Sequence, residues 1–270
     1  MPVKKQILLS NDDGIEAPGL WAAAEALSRL GYVTVCAPAI QYSCAGRSHS
    51  LQATGLLTRK TVRVGTQDWE VYACDGTPAQ SVVNGVLDLF GDGKPDLIVT
   101  GINNGENVGH SITISGTVGA ALEGAAFGVP AIAASMEIRG TDFLSFPPIE
   151  DYAVAAYFTA LLAEKVLNNH LPADVDVLKL DVPNNATSQT PWKITKVALE
   201  RYFIPRPRRA EQGKPQIDGA SHLPKGERVF PDGSDIHAIK NQRVVSVTPL
   251  SLDMTSRTSL EKLEALFSRG

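Results

Sequence analysis

The stretch ILLSNDDG, residues 7–14, decides the fold. Ile7, Leu8 and Leu9 form an apolar run without polar alternation, the pattern of a strand buried on both faces of a parallel sheet. Asn11, Asp12, Asp13 and Gly14 end that run abruptly and turn the chain outward at the strand's carboxyl end. In open α/β sheets this is the edge where ligands bind. Neighbouring carboxylates repel, so a fold that brings two together usually holds a cation between them. Asp and Gly are also ordinary turn residues, and the motif alone is equally compatible with a polar turn.

Working outward, strand and helix patterns alternate. Leu20, Trp21, Ala24, Leu27 and Leu30 recur at helical spacing, with Gly31 closing the helix. VTVCAP at 33–38 follows as a second strand, which makes a β-α-β unit with a right-handed crossover. LLTRKTVRV (56–64) and WEVYAC (69–74) read as an excursion of antiparallel strands. Thr77 and Pro78 suit the N-cap and first turn of a helix reaching Phe90. DLIVTG (96–101), PAIAAS (130–135) and DVLKLDV (176–182) read as further strands, with helices over 116–127 and 151–168. The second of these carries Val154, Tyr157, Leu161 and Leu162, and its period turns its aromatic residues to the core. The expected fold is α/β, a Rossmann-like doubly wound, mostly parallel sheet over residues 1–185.

Residues 186–270 differ. The segment 203–235 is rich in Pro, Gly, Arg and Lys and reads as a long loop or extended arm. RVVSVTPL (243–250) is a strand, and a short helix over 259–267 ends the chain. An apolar strand and helix beyond an irregular arm either pack on their own core or cross to another subunit. The second option implies a homo-oligomer, with this extension as its contact.

Composition excludes several classes. Hydrophobic residues at 43% and charged residues at 20% of 270 describe an ordinary globular protein. With 25 basic and 29 acidic residues the net charge is −4, which argues against binding a nucleic-acid polymer or a membrane surface. No apolar run nears the ~18 residues of a membrane span, and the apolar part of MPVKKQILLS is too short for a signal-peptide core. Cys36, Cys44 and Cys74 lack Cys-x-x-Cys spacing, so neither a disulfide framework nor a zinc site is indicated, and the expected compartment is the cytoplasm. His49, His110, His170, His222 and His237 show no metal spacing and read as loop or surface residues.

The polar candidates gather at strand ends. Besides Asp12 and Asp13, Ser43 lies in the loop after the second strand, and TGINNGENVG (100–109) offers the amide oxygens of Asn103, Asn104 and Asn107. Each alone is ordinary loop chemistry. In SGTVGAALEG (115–124), Ser115, Gly116 and Thr117 open a helix whose free N–H groups suit an anion, although Ser and Thr also cap helices everywhere. GTPAQS (76–81) has the same two readings. Three successive strand ends with oxygen ligands, beside two helix starts, suit a divalent metal next to a phosphate. Two aspartates cancel a 2+ charge while Ser43 and Asn103 add neutral oxygens, leaving positions open for water and a phosphate oxygen, as at Mg²⁺ and Mn²⁺ sites.

LLSNDDGI (8–15), AP with Ser43 a few residues on, DGTPA (75–79), TGINNGENVG, SGTVGAALEG and VSVTPL (245–250) occur in this order along most of the chain. In this the chain resembles the survival protein E family, the SurE-type 5′-nucleotidases. The resemblance implies cytoplasmic metal-dependent phosphatases acting on nucleoside monophosphates, and leaves open whether 3′-nucleotides and short polyphosphate are also cut. It implies C-terminal elements exchanged within a homodimer or homotetramer. It further implies one Mg²⁺ or Mn²⁺ per subunit, held by Asp12, Asp13, Ser43 and Asn103, with Asn11, Asn107, Ser115, Gly116 and Thr117 lining the phosphate pocket. Cys44-Ala45 and His110 depart from the usual pattern without removing a ligand. The reaction expected is metal-assisted hydrolysis of a phosphomonoester, with Asp12 and Asp13 also the candidates for proton exchange. A covalent aspartyl-phosphate is the competing route. A receiver-type signalling module also carries an acidic pair after its first strand, but it needs an aspartate ending a later strand, whereas Asp96 begins one here. A plain dinucleotide-binding protein lacks support because no G-x-G-x-x-G follows the first strand.

Overall fold

The structure, a computed structural model, describes residues 4–64, 66–138, 145–202 and 229–268. The arm expected over 203–235 lies mostly outside the described residues, as does His222.

The strands are β1 (Lys5–Ser10), β2 (Gly31–Pro38), β3 (Leu57–Val64), β4 (Gln67–Cys74), β5 (Leu97–Asn104), β6 (Ala131–Met136), β7 (Val177–Val182), β8 (Trp192–Ile194) and β9 (Val245–Leu250). They form one sheet in the order β3-β4-β2-β1-β5-β6-β7-β9-β8. From β4 to β7 all neighbours are parallel; β3 runs antiparallel to β4, and β9 antiparallel to β7. The antiparallel excursion is therefore an edge of the main sheet. The chain winds from β1 to β2 in one direction and returns to lay β5 on the other side of β1. That reversal opens a crevice at the carboxyl ends of β1 and β5, the standard ligand position of such sheets.

The helices are α1 (Pro18–Leu27), α2 (Pro78–Phe90), α3 (Gly116–Ala125), α4 (Ala153–Asn168) and α5 (Leu260–Phe267). Alternation along β1 explains its unbroken apolar run. Ile7 and Leu9 pack under α1 and α4 with Leu20, Leu27, Phe158 and Leu162, while Leu8 packs under α2 and α3 with Val82, Val86 and Val118. Each such side chain contributes about 1.5–3 kcal/mol on burial. Thr77 caps α2 as expected: its Oγ accepts from Gln80 N, the Gln80 side chain accepts from Thr77 N, and Pro78 stands at the first turn.

Two local expectations are corrected. Gly31 does not close α1. The helix stops at Leu27, Ser28 N donates to Ala24 O, and Gly31 opens β2. A Cβ at Gly31 would lie 2.2 Å from Lys5 O, so the missing side chain serves the approach of β2 to β1. Nor do all aromatic residues of α4 face the core. Phe158 is buried but Tyr157 is 45% exposed, because the buried face runs through Ala155, Phe158, Thr159, Leu162 and Val166.

At the far edge β9 packs into its own chain's sheet through Val245 and Val247. By contrast α5 leaves Leu260, Leu263, Leu266 and Phe267 exposed on this chain. Among the described residues no helix is long and apolar enough to cross a membrane.

Candidate metal and phosphate site

The turn that ends β1 closes on itself. Asn11 Nδ2 donates to Gly14 O at 2.9 Å, and Gly14 N donates to Asn11 Oδ1 at 3.2 Å. This fixes the two intervening aspartates at the crevice with only 5% (Asp12) and 8% (Asp13) of their surface exposed.

Each carboxylate is held from a different segment. Thr117 Oγ1, in the first turn of α3, donates to Asp12 Oδ1 at 2.5 Å. The backbone N–H groups of Gly116 and Thr117 also stabilise the Asp12 charge. A Cβ at Gly116 would fall 2.7 Å from Asp12 Cβ and 2.8 Å from its Oδ2, so only glycine lets the helix start approach this closely. Asp13 Oδ2 accepts from Asn104 N, at the end of β5, at 2.9 Å, and its Oδ1 accepts from Gln41 Nε2 at 3.2 Å. In the loop after β2, Tyr42 N donates to Asp12 O at 2.7 Å and Gly46 N to Ile114 O at 3.0 Å, which seats that loop between β1 and α3.

Burial raises Asp12 from 3.8 to about 6, against the lowering effect of its Thr117 and Gly116 hydrogen bonds. Asp13 rises to about 7, through burial foremost and then repulsion from Asp12. Neither carboxylate is opposed by a cationic side chain among the described residues. Two buried carboxylates without a counter-charge are costly, and a bound cation relieves both burial and repulsion. Among the described residues no three His, Cys, Asp or Glu side chains gather to hold a metal ion. Two buried carboxylates beside neutral oxygens are chemistry that suits a hard cation of the Mg²⁺ or Mn²⁺ type rather than zinc.

The neutral candidates lie at the same edge. Asn103, at the end of β5, is half-buried and spends its Nδ2 on Gly105 O at 2.7 Å, which leaves Oδ1 as the acceptor available to a cation. Ser43 is exposed in the loop after β2, one residue beyond the Tyr42 N–Asp12 O bond. Ser115 caps α3, its Oγ accepting from Val118 N at 3.1 Å, and that bond leaves its hydroxyl hydrogen unspent. Asn107 Nδ2 donates to Ser135 Oγ at 2.9 Å at the neighbouring end of β6. Asn11, fully buried, has its side-chain amide committed to the turn with Gly14. Gly116 and Thr117 address Asp12 in this structure. The start of α2 is occupied locally: Thr77 Oγ1 donates to Ser48 O and Gln80 serves the capping box.

Two participants, Gln41 and Tyr152, carry no sequence pattern, and Asn104, expected to offer its amide oxygen, instead donates its backbone N–H to Asp13. Tyr152, fully buried near the Asp13 charge, holds its phenol above the usual range through burial first and Asp13 next. Its oxygen and Ser10 Oγ are buried side-chain oxygens with no hydrogen-bond partner among the described residues.

The family described as Survival protein SurE matches residues 7–203. The chain is 39% identical to 5′-nucleotidase SurE of Methanocella arvoryzae, over 97% of each chain. It is 40% identical to 5′-nucleotidase SurE of Thermococcus gammatolerans, over 96% of this chain and 94% of the relative. The crystal structure of Sure protein from Aquifex aeolicus superposes with a TM-score of 0.72 at 32% identity, over 97% of this chain and 99% of that one. By family match, full-length identity and fold, this chain belongs to the survival protein SurE family.

Proposed function

We propose that the chain is a divalent-metal-dependent phosphomonoester hydrolase that releases phosphate from nucleoside 5′-monophosphates, with 3′-nucleotides and short polyphosphate as further substrates. One observation carries the reading: two buried carboxylates, with no cationic partner among the described residues, stand against the N-terminus of α3 at the sheet's switch point. The names of the relatives supply the substrate class.

In this reading Asp12, Asp13, Ser43 and Asn103 hold one Mg²⁺ or Mn²⁺ per subunit. The bound cation supplies Lewis-acid polarisation of a phosphoryl oxygen and a place for the attacking water. Thr117 keeps Asp12 oriented and ionised by donating to Oδ1. The Ser115 hydroxyl and the second Nδ2 hydrogen of Asn107 donate to phosphoryl oxygens, where charge grows in the transition state. Amides at the start of α3 add a favourable dipole for that anion. Asn11 shapes the turn that presents the aspartates. Direct attack by water is favoured over an aspartyl-phosphate, which needs the first aspartate free to attack, because Asp12 is held by the Thr117 hydroxyl and the amides of Gly116 and Thr117.

The exposed apolar side chains of α5 are the support for a homodimer or homotetramer in which residues 186–270 make the contact. We place the enzyme in the cytoplasm.

A phosphate-release panel over nucleoside monophosphates, 3′-nucleotides and short polyphosphate, run with Mg²⁺, Mn²⁺ and chelator, tests the reading. Release from nucleoside 5′-monophosphates with metal, abolished by chelator, is expected. No release from any nucleoside monophosphate with either metal would overturn it.

A further inference from the structure

The strand β7 carries a charge cluster with no place in the site so far described. Lys179, Asp181 and Asp235 all have side chains 0% exposed. Lys179 Nζ lies 2.5 Å from Asp181 Oδ2 and 3.2 Å from Asp235 Oδ2, so one ammonium bridges two carboxylates. The two carboxylates also accept from backbone. Asp181 Oδ1 accepts from Asn107 N at 2.8 Å, and Asp235 Oδ2 accepts from Gly109 N at 3.0 Å. Asp235 Oδ1 accepts from Ala198 N at 3.0 Å and from Ile236 N at 2.8 Å. The loop after β5 is therefore held at two points, two residues apart, by carboxylates tied to the same ammonium.

A second set of charges grips the residue between β5 and that clamp. Glu106 Oε1 lies 2.8 Å from Lys240 Nζ and accepts from Tyr202 Oη at 2.7 Å, while Lys240 also contacts Glu137 Oε1 at 2.5 Å. The loop that bears Asn107 is thus fastened to β7 and to the segments around 202 and 235–240, all remote in sequence. Buried ion clusters contribute little net stability, since desolvation consumes most of the Coulomb gain, whereas losing one partner is severe. What this cluster achieves instead is four hydrogen bonds accepted from backbone N–H groups.

We infer that Lys179, Asp181 and Asp235 are positioning residues, which clamp the backbone of Asn107 and Gly109 so that the Asn107 side chain stands fixed beside Ser135 at the phosphate site. This rests on Asn107 being a phosphate ligand. Asp181 and Ser135 are register partners on β7 and β6. Asn107 is therefore located from both adjoining strands, by its backbone on one and by its side chain on the other. A displacement of the loop moves the amide as a unit, and small misplacements of a substrate-binding group are expensive in rate.

The test combines amide hydrogen exchange at residues 107 and 109 of the metal-free full-length protein with steady-state kinetics on a nucleoside 5′-monophosphate. Asp181→Asn keeps an acceptor for Asn107 N, so exchange there stays slow and KM stays within about threefold of the parent. Asp181→Val removes the acceptor, so exchange at Asn107 accelerates about tenfold or more and KM rises about fivefold or more. In an Asn107→Ala background, Asp181→Val adds nothing further to KM. Unchanged exchange in folded Asp181→Val, or additive effects on KM, overturns the inference. If Asn107→Ala alone leaves KM unchanged, the phosphate-ligand reading fails, while the exchange arm still decides whether Asp181 holds the loop. Should Asp181→Val not fold, Asp181→Ser keeps the Lys179–Asp235 pair and a polar side chain while shortening the acceptor away from Asn107 N. Faster exchange at Asn107 than in Asp181→Asn supports the clamp, and equal exchange overturns it.

Discussion

Thr117 Oγ1 donates to Asp12 Oδ1 at 2.5 Å across 105 residues of sequence. The bond joins the first turn of α3 to the end of β1 and sets which face of the carboxylate is left for a cation. Thr117→Val keeps the shape and removes the donor. It should weaken Mn²⁺ binding by roughly tenfold, in line with the 10–100-fold effects of groups that orient metal ligands. Thr117→Ser should restore most of it, as titration calorimetry will show.

Asp12→Asn should lose most turnover, roughly 100-fold or more, and bind Mn²⁺ more weakly, because an amide neither balances the cation's charge nor accepts from Thr117 in the same way. Rates measured across a metal titration check this. Near-parental activity at saturating Mn²⁺ would refute the ligand assignment.

At Gly116, a single methyl would stand 2.8 Å from Asp12 Oδ2. Gly116→Ala should therefore push α3 and Asp12 apart, cutting kcat by an order of magnitude or more while the circular dichroism spectrum is unchanged. A fully active variant would mean that the helix start need not touch the carboxylate.

The raised aspartates fix a pH dependence. Asp12 and Asp13 hold protons more tightly when folded (about 6 and about 7) than at their ordinary 3.8. Between about pH 4 and 7 the folded chain thus binds more protons than the unfolded one, and their contribution to stability falls as pH rises. In chelator, Tm should drop across this window more steeply for the parent than for Asp13→Asn. Added Mn²⁺, which needs both groups ionised, should stabilise the parent more at pH 7.5 than at pH 5. Equal pH slopes for parent and variant would contradict the burial of these charges.

The sheet and its ligand edge were legible because β1, β5 and β6 contain apolar runs (Ile7–Leu9, Leu97–Val99 and Ala131–Ala134) that give way to polar residues (Ser10, Thr100 and Ser135), a pattern that needs no tertiary information. Boundaries were less so. The strand β5 was expected to stop at Gly101 but continues to Asn104, and those extra residues carry the backbone donor to Asp13. DVLKLDV reads as a strand, but nothing in its pattern gives Lys179 or Asp181 a role. Alternating charge in such a strand ordinarily marks a solvated face, and the partners that let these charges be buried sit at 107–109 and 235. Interactions so distant in sequence leave no local period. The aspartate pair was legible as a motif, whereas its helpers Gln41 and Asn104 act through contacts that only the folded chain creates.

Anomalous diffraction from crystals soaked in Mn²⁺ locates the cation outright. One manganese peak per chain is expected, at about 2.0–2.4 Å from carboxylate oxygens of Asp12 and Asp13, with Ser43 Oγ and Asn103 Oδ1 in or beside its coordination sphere. A peak elsewhere, or none at the aspartate pair at saturating metal, would contradict it.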